Sequence, residues 1–183
     1  MRALRIGSVD WRLWLETWGT SVALVPFAAI FAKDMLYATD GYSFWFGEML
    51  WTVTHAFDLI VHEAGHFFFR FFGRFMEIAG GSIMQLLLPA LLVYQGVYWS
   101  NKLGTQLALL LLGQNFVDVS IYAADAQARQ LPLIANLGPE SHDWHNMLAM
   151  LGWLEHTPLI AGLIYACAFV CWIAMVLVPL RIH

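Results

Sequence analysis

Charged side chains are scarce in this chain. Asp, Glu, Lys and Arg make up only 12% of its 183 residues, whereas they make up about a quarter of a soluble domain. So few charges cannot cover the surface of a water-soluble fold, and a content of 60% hydrophobic residues excludes a disordered chain. The mean hydropathy of +0.64 indicates a polytopic membrane protein whose outer surface contacts lipid.

Basic residues and cysteines are also few. Nine Lys and Arg are spread thinly along a chain of net charge −4, so no basic patch of the kind that binds nucleic acid is present, and we expect no nucleic-acid partner. The only cysteines, Cys167 and Cys171, lie four residues apart in an apolar run. We expect them to pack as small side chains rather than to form a disulfide or a redox pair.

Long apolar runs are what the chain has instead. Five runs approach the length of about 20 residues that a helix needs to cross a bilayer. They cover about 14–32, 45–72, 83–99, 103–128 and 158–180. The sequence therefore predicts an all-α, polytopic membrane protein with about five transmembrane helices, in a single domain over residues 1–183. Gly80 and Gly81 precede the third run and permit either a tight turn or a close approach of the backbone to a neighbour or a substrate.

The loop charges predict an orientation. With five crossings and a cytoplasmic N-terminus, six basic residues face the cytoplasm and three face the other side. The six are Arg2, Arg5, Arg12, Arg70, Arg74 and Arg129, and the three are Lys33, Lys102 and Arg181. The positive-inside rule then favours a cytoplasmic N-terminus. We expect a protein of the bacterial inner membrane, in contact with membrane lipids.

The second apolar run is unusually polar for a membrane span. Its ionisable residues cluster around one face of a helix, at 100° per residue, and this face points away from lipid. They are Glu48, His55, Asp58, His62, Glu63, His66 and Arg70. Ionisable residues are costly inside a membrane and by default mark function, so this face predicts a buried polar site.

His62, Glu63 and His66 form an H-E-x-x-H motif within this run. Residues four apart lie on the same face of a helix, so two imidazoles can bind one Zn²⁺ ion. The Glu63 carboxylate can then act as the general base on a metal-activated water. Imidazole and carboxylate ligands favour zinc, but they also suit iron or nickel.

A third ligand has to come from another helix. The fourth run carries a second polar face, formed by Asn115, Asp118, Tyr122, Asp125 and Arg129. At about 1.5 Å per residue, the histidine pair lies between Asp118 and Asp125 in depth, so either carboxylate can reach the metal. We prefer Asp125 as the third ligand and keep Asp118 as the alternate. If Asp118 is not a ligand, we expect it to pair with His55 or to orient a ligand.

The loop after the fourth run contains Ser141-His142-Asp143-Trp144-His145 and emerges on the same side as the histidine pair. Ser141 is a good candidate for the N-cap of a short helix. One imidazole of this loop is a candidate fourth ligand or proton shuttle, the alternative being solvated histidines on an interfacial helix. We choose His142 over His145 because it is nearer the end of the fourth span.

These residues resemble the site-2 protease type of intramembrane metalloprotease, the M50 class. The resemblance covers roughly residues 45–125 and rests on the His62-Glu63-x-x-His66 motif, a glycine-rich turn and a later helix with an aspartate. The chain differs in lacking the proline and glycine around that aspartate and in having no inserted PDZ-like domain, so it looks like a compact, divergent bacterial member. The resemblance implies a zinc-dependent hydrolase that cleaves peptides within or beside the bilayer.

Two other functions stay open on the sequence alone. A membrane zinc enzyme with the same residues could act on a lipid that enters sideways from the bilayer. A non-enzymatic membrane subunit could use the two polar faces to bind metal or to relay protons. Only the two enzymatic functions require Glu63 as a base.

Overall fold

The computed structural model describes residues 11–37 and 45–182, and these residues form helices and no strands. The all-α prediction is therefore confirmed. The α-helices are α1 (Trp11–Tyr37), α2 (Trp45–Phe69), α3 (Arg74–Tyr98), α4 (Lys102–Ala124), α5 (Asp143–Leu151) and α6 (Thr157–Leu177). Arg2 and Arg5, which entered the count of loop charges, lie outside the described residues, as does the side chain of Glu48.

Four of the described helical segments are long and apolar enough to cross a membrane, which is compatible with an integral membrane protein. They are Trp11–Lys33, Arg74–Tyr98, Lys102–Ala124 and Leu154–Leu180. α2 is equally long, with 25 residues, but the polar face found in the sequence lies on it. The distribution of polar side chains therefore separates α2 from the four apolar helices.

α1 and α4 run in the same direction. At the start of α4, the Nζ of Lys102 donates a hydrogen bond to the carbonyl oxygen of Glu16, near the start of α1, over 2.6 Å. One turn further along both helices, the Thr20 hydroxyl donates to Oε1 of Gln106, also over 2.6 Å. The two helices therefore begin at the same face of the molecule.

α3 and α4 form a hairpin and run in opposite directions. The backbone N–H of Asn101 closes the connecting turn by donating to the carbonyl oxygen of Gly96 over 2.8 Å. Since α1 is parallel to α4, the end of α1 and the start of α3 lie at the same face. α2 connects these two ends and so makes no net crossing. Of the described helices, four can then cross a membrane, whereas the lengths of the apolar runs predicted about five crossings.

The glycine pair before the third apolar run lies inside a helix. α3 begins at Arg74 and passes through Gly80 and Gly81 without a break, and the turn is made instead by Gly73, whose φ is +95°. Of the two roles expected for the pair, close approach is the one observed. A Cβ atom at Gly80 would lie 2.7 Å from the carbonyl oxygen of Gly65, so the backbones of α2 and α3 touch.

α4 is the central helix and packs against α1, α3 and α6. Apolar side chains of α1, α4 and α6 form the core, among them Phe31, Val117, Trp172 and Met175. The buried Gln106 amide is satisfied by donating to the Ser21 hydroxyl over 2.7 Å and to the Met175 carbonyl over 3.2 Å. Both cysteines are free thiols, and Cys171 belongs to this core.

The direction of α1 leads to a test of topology by cysteine labelling. In a background with Cys167 and Cys171 replaced by alanine, we expect Ser100→Cys and a tag at the N-terminus to be accessible from the same membrane face. Glu140→Cys should be labelled by an impermeant maleimide only from the opposite face. If the N-terminal tag and the thiol of Ser100→Cys were accessible from opposite faces, α2 would have to cross the bilayer.

Candidate metal centre

Two imidazoles and one carboxylate meet in the structure. The Nε2 of His62 lies 3.1 Å from Oδ2 of Asp143, and the Nε2 of His66 lies 3.2 Å from the same oxygen. Among the described residues, these three side chains form the group of His, Cys, Asp and Glu whose ligand atoms all lie within 4.8 Å of one another. Such a group could hold a metal ion.

The other nitrogen of each imidazole faces a carbonyl oxygen. The Nδ1 of His66 lies 2.8 Å from the backbone carbonyl oxygen of Glu77, and the Nδ1 of His62 lies 3.3 Å from Oε1 of Gln85. A carbonyl oxygen only accepts, so both Nδ1 atoms carry the hydrogen. Each Nε2 is then the nitrogen available to a metal, as in histidine ligands that are oriented by a carbonyl group.

The contact of the two imidazoles with Asp143 requires a positive charge. The Nε2 lone pairs of His62 and His66 and the oxygen of Asp143 are all acceptors, so they repel one another unless a proton or a metal ion lies between them. Burial opposes ionisation of the Asp143 carboxyl, but hydrogen bonds from His62 and His66 and the charge of their rings outweigh it, and its pKa falls to about 2. Two imidazoles and one ionised carboxylate are a donor set that Zn²⁺ accepts, so the residues fit a metal ion.

Asp143 is the first residue of α5, and its neighbours hold that position. Its backbone N–H donates to the hydroxyl oxygen of Tyr122 on α4 over 3.0 Å. The next residue, Trp144, donates from its indole N–H to the hydroxyl of Ser82 on α3 over 3.1 Å. These two hydrogen bonds attach the start of α5 to both α3 and α4, beside the histidine pair.

His142, the expected fourth ligand, is the N-cap of α5. Its Nδ1 accepts a hydrogen bond from the backbone N–H of His145 over 3.2 Å, so the cap is His142 and not Ser141 as expected. Burial lowers the pKa of His142 despite the nearby carboxylate of Asp125, and a neutral ring with Nδ1 as acceptor carries its hydrogen on Nε2. The cap therefore uses Nδ1, and Nε2 lies towards Asp125 rather than towards the His62–His66 pair.

Asp125, the preferred third ligand, pairs with His142 and with the loop that follows α4. Its Oδ2 lies 3.3 Å from Nε2 of His142, although the angle is too poor for a hydrogen bond. Its two oxygens accept hydrogen bonds from the backbone N–H groups of Gln130 and Leu131, each over 2.9 Å. The structure does not bring Asp125 to the histidine pair; it makes Asp125 an anchor for the loop that leads to Asp143.

Asp118, the alternate third ligand, pairs with His55, as expected for it in the absence of a metal contact. Its Oδ1 accepts from Nδ1 of His55 over 2.7 Å, and its Oδ2 accepts from Nε2 of Gln85 over 2.6 Å. Gln85 in turn contacts His62. Asp118 is therefore connected to a candidate ligand through one intervening side chain.

Sequence reasoning did not select Asp143 as a ligand. It recognised the His142–His145 loop but looked for imidazoles there and for a carboxylate on the fourth span. The available signal was the capping pattern. The side chain of a residue that caps a helix binds the backbone of that helix, whereas the side chain of the next residue is free to contact another element. With His142 as the cap, Asp143 is the residue of this loop that can reach the pair.

The three groups open into a cavity of about 800 Å³. Glu63 lines it beside both histidines, and His55 and Trp51 line it further along α2. Apolar side chains of the loop after α4, including Leu131 and Leu137, form part of its wall. The candidate metal centre is therefore accessible to a molecule larger than water.

Comparison with protein-family models, with curated proteins and with solved structures found no match to this chain.

The space for the His62 ring depends on Gly81, which generates a test. A Cβ atom at Gly81 would overlap the His62 imidazole. We expect Gly81→Ala to displace this ring and to weaken metal binding at least tenfold, because a ligand moved by about 1 Å no longer shares the metal with His66. Isothermal titration with Zn²⁺ in detergent would measure the change.

The control is Gly113→Ala, which places a Cβ against the Trp172 indole in the core, away from the metal centre. Overpacking there should cost about 1–3 kcal/mol of stability and leave the zinc affinity unchanged. Equal zinc affinity in Gly81→Ala and wild type would contradict the geometry described above.

Proposed function

We propose that this chain is a zinc-dependent hydrolase of the membrane, and that it acts as an intramembrane metalloprotease. The observation that carries the proposal is the convergence of His62 Nε2, His66 Nε2 and Asp143 Oδ2 beside Glu63 at the wall of a large cavity. An H-E-x-x-H helix with a carboxylate from a second element is a ligand arrangement that metallohydrolases use.

The number of ligands favours catalysis over a structural metal. Structural zinc is held by four protein ligands, whereas catalytic zinc is held by three and keeps one position open. His142, which as a fourth ligand would close the site, is used instead as a helix cap and as the neighbour of Asp125. Three protein ligands then remain, which supports an open coordination position that faces the cavity.

Each residue has a distinct part in the proposed hydrolysis. Bound Zn²⁺ would lower the pKa of a water molecule and polarise the carbonyl group under attack. Glu63 takes the proton of the attacking water and passes it to the leaving amine. The Nδ1 contacts with Glu77 and Gln85 keep both imidazoles in the tautomer that leaves Nε2 free.

The depth of the centre supports cleavage beside the bilayer rather than at its midplane. Tyr122, which contacts Asp143, lies two residues before the end of α4, or about 3 Å along the helix. Gly81, against His62, lies seven residues after the start of α3, or about 10 Å. The proposed substrate is therefore a membrane-embedded peptide whose scissile bond lies near the membrane surface, with lipids around the apolar exterior.

We also propose a location in the bacterial cytoplasmic membrane with a cytoplasmic N-terminus. Arg12 lies in the first turn of α1, and two further arginines come before it in the sequence; positive charge at the start of the first span commonly keeps that end in the cytoplasm. With four crossings, the metal centre then faces the opposite side of the membrane from the N-terminus. The six-to-three count of basic residues assumed five crossings, so this proposal depends on the charge before α1.

Metal content and turnover test the proposed function. We expect about one zinc ion per chain by elemental analysis, and its loss in Asp143→Asn because one of the three ligands is then neutral. Glu63→Gln should retain the metal and lose at least a thousandfold in turnover, because it removes only the base. Glu155→Gln serves as the control, because this exposed carboxylate pairs with His156 and does not line the cavity.

The substrate arm of this test compares membrane peptides with lipid extracts, each incubated with wild type and Glu63→Gln. Peptide cleavage by wild type but not by Glu63→Gln supports the proposed protease. Lipid hydrolysis by wild type but not by Glu63→Gln would instead indicate a lipid hydrolase. Wild-type protein without zinc, even after reloading, would refute the proposed function. Metal flux in proteoliposomes that is unaffected by Glu63→Gln would favour a non-enzymatic carrier.

A further inference from the structure

A chain of polar contacts leads away from the candidate metal centre into the protein. His62 Nδ1 contacts Gln85 Oε1, Gln85 Nε2 donates to Asp118 Oδ2, and His55 Nδ1 donates to Asp118 Oδ1. We propose that Asp118, acting through the Gln85 amide, is a positioning residue that holds His62 in the tautomer and orientation needed to bind the metal. This inference rests on the proposed zinc site.

The carboxylate determines which way the Gln85 amide faces. An amide group has a donor end and an acceptor end, and either end can point towards His62. Asp118 Oδ2 is only an acceptor, and it lies 2.6 Å from the amide, so the donor end must face Asp118. The acceptor end, Oε1, then faces Nδ1 of His62, which has to carry its hydrogen.

The opposite orientation of the amide would abolish metal binding by His62. With the amide nitrogen of Gln85 towards the ring, Nδ1 would have to accept, and the single hydrogen of the neutral imidazole would move to Nε2. A protonated Nε2 has no lone pair for a metal ion. The Asp118 carboxylate thus favours the binding tautomer across two hydrogen bonds, without touching the metal.

Burial makes this preference strong. Gln85 is 3% exposed and His62 is 6% exposed, so water does not compete for these hydrogen bonds. The second oxygen of Asp118 is held by His55, whose ring stacks on Trp51 with 5.8 Å between ring centres. Both oxygens of the carboxylate are therefore engaged, and its orientation is defined from two helices.

The chain contains a second glutamine–aspartate pair that serves as a matched control. Gln114 on α4 donates from Nε2 to Oδ2 of Asp58 on α2 over 2.8 Å, whereas Gln85 on α3 donates to Asp118 on α4. Gln114 is 0% exposed and Asp58 is 5% exposed. Both glutamines are buried and donate to a carboxylate, but the hydrogen bonds of Gln114 lead to Asp58 and Asn115 and not to a candidate ligand.

The experiment measures zinc affinity by competition with a chromophoric chelator, with thermal stability recorded in parallel. We expect Gln85→Met to weaken zinc binding by about 10–100-fold, the usual effect of losing a group that orients a histidine ligand. Gln114→Met should lower thermal stability to a similar degree and leave the affinity unchanged. The ligand-field spectrum of Co²⁺-loaded protein should change in Gln85→Met only.

Asp118 is tested by its own pair of variants. Asp118→Leu removes the acceptor for Gln85 Nε2 and should weaken zinc binding by about as much as Gln85→Met. Asp118→Asn keeps an acceptor oxygen of the same shape and should recover most of the lost affinity. Because Asp118 acts through Gln85, Asp118→Leu should cause little further loss in the Gln85→Met background.

The outcomes separate this inference from the proposed function. If wild type binds zinc and Gln85→Met and Asp118→Leu bind it equally well, the positioning role is refuted and the metal centre stands. If the losses at the two positions multiply in the double variant, Asp118 does not act through Gln85, and the inference is again refuted. If wild type binds neither Zn²⁺ nor Co²⁺, both the proposed function and this inference fail.

Discussion

The contact between the backbones of α2 and α3 is the constraint on which the candidate metal centre depends. Gly65 and Gly80 touch because neither carries a side chain, and this brings the two helix axes unusually close. At that distance the His62 ring lies over Gly81, and the turns of α3 before and after this glycine supply the carbonyl groups that face both imidazoles. A larger residue at these glycines would separate the helices and the groups that orient the ligands.

The three groups of the centre come from two kinds of element. The histidines lie on a helix that packs against α3, whereas Asp143 reaches them at the end of a loop of 3₁₀ turns and coil after α4. Loops carry functional residues but need anchors to place them accurately. Asp125 binds the beginning of this loop, and His142 caps the helix at its end. The two residues expected as ligands thus serve to position the carboxylate that lies between the imidazoles.

Local patterns predicted the helices and the histidine pair, because both depend on residues close in sequence. Apolar runs of membrane length became α1, α3, α4 and α6, and the four-residue spacing of His62 and His66 put both rings on one face. Patterns that need distant contacts were predicted less well. The Gly80–Gly81 pair is equally compatible with a turn and with a packing surface. The length of α2 does not reveal whether this helix crosses the bilayer. The pairing of Asp118 with His55 was one of the two roles expected for Asp118 if it did not bind the metal.

By itself, the sequence determined that this is a helical membrane protein with a metal-binding type of motif on one polar helix. Those properties follow from composition and from the fixed geometry of a single helix. Only the tertiary structure decided that α1 and α4 run parallel, that α2 makes no net crossing, and that Asp143 rather than Asp118 or Asp125 faces the histidines. The physical reason is that carboxylates on different elements are chemically alike, so the choice among them depends on packing angles and hydrogen-bonded loops that no local spacing specifies.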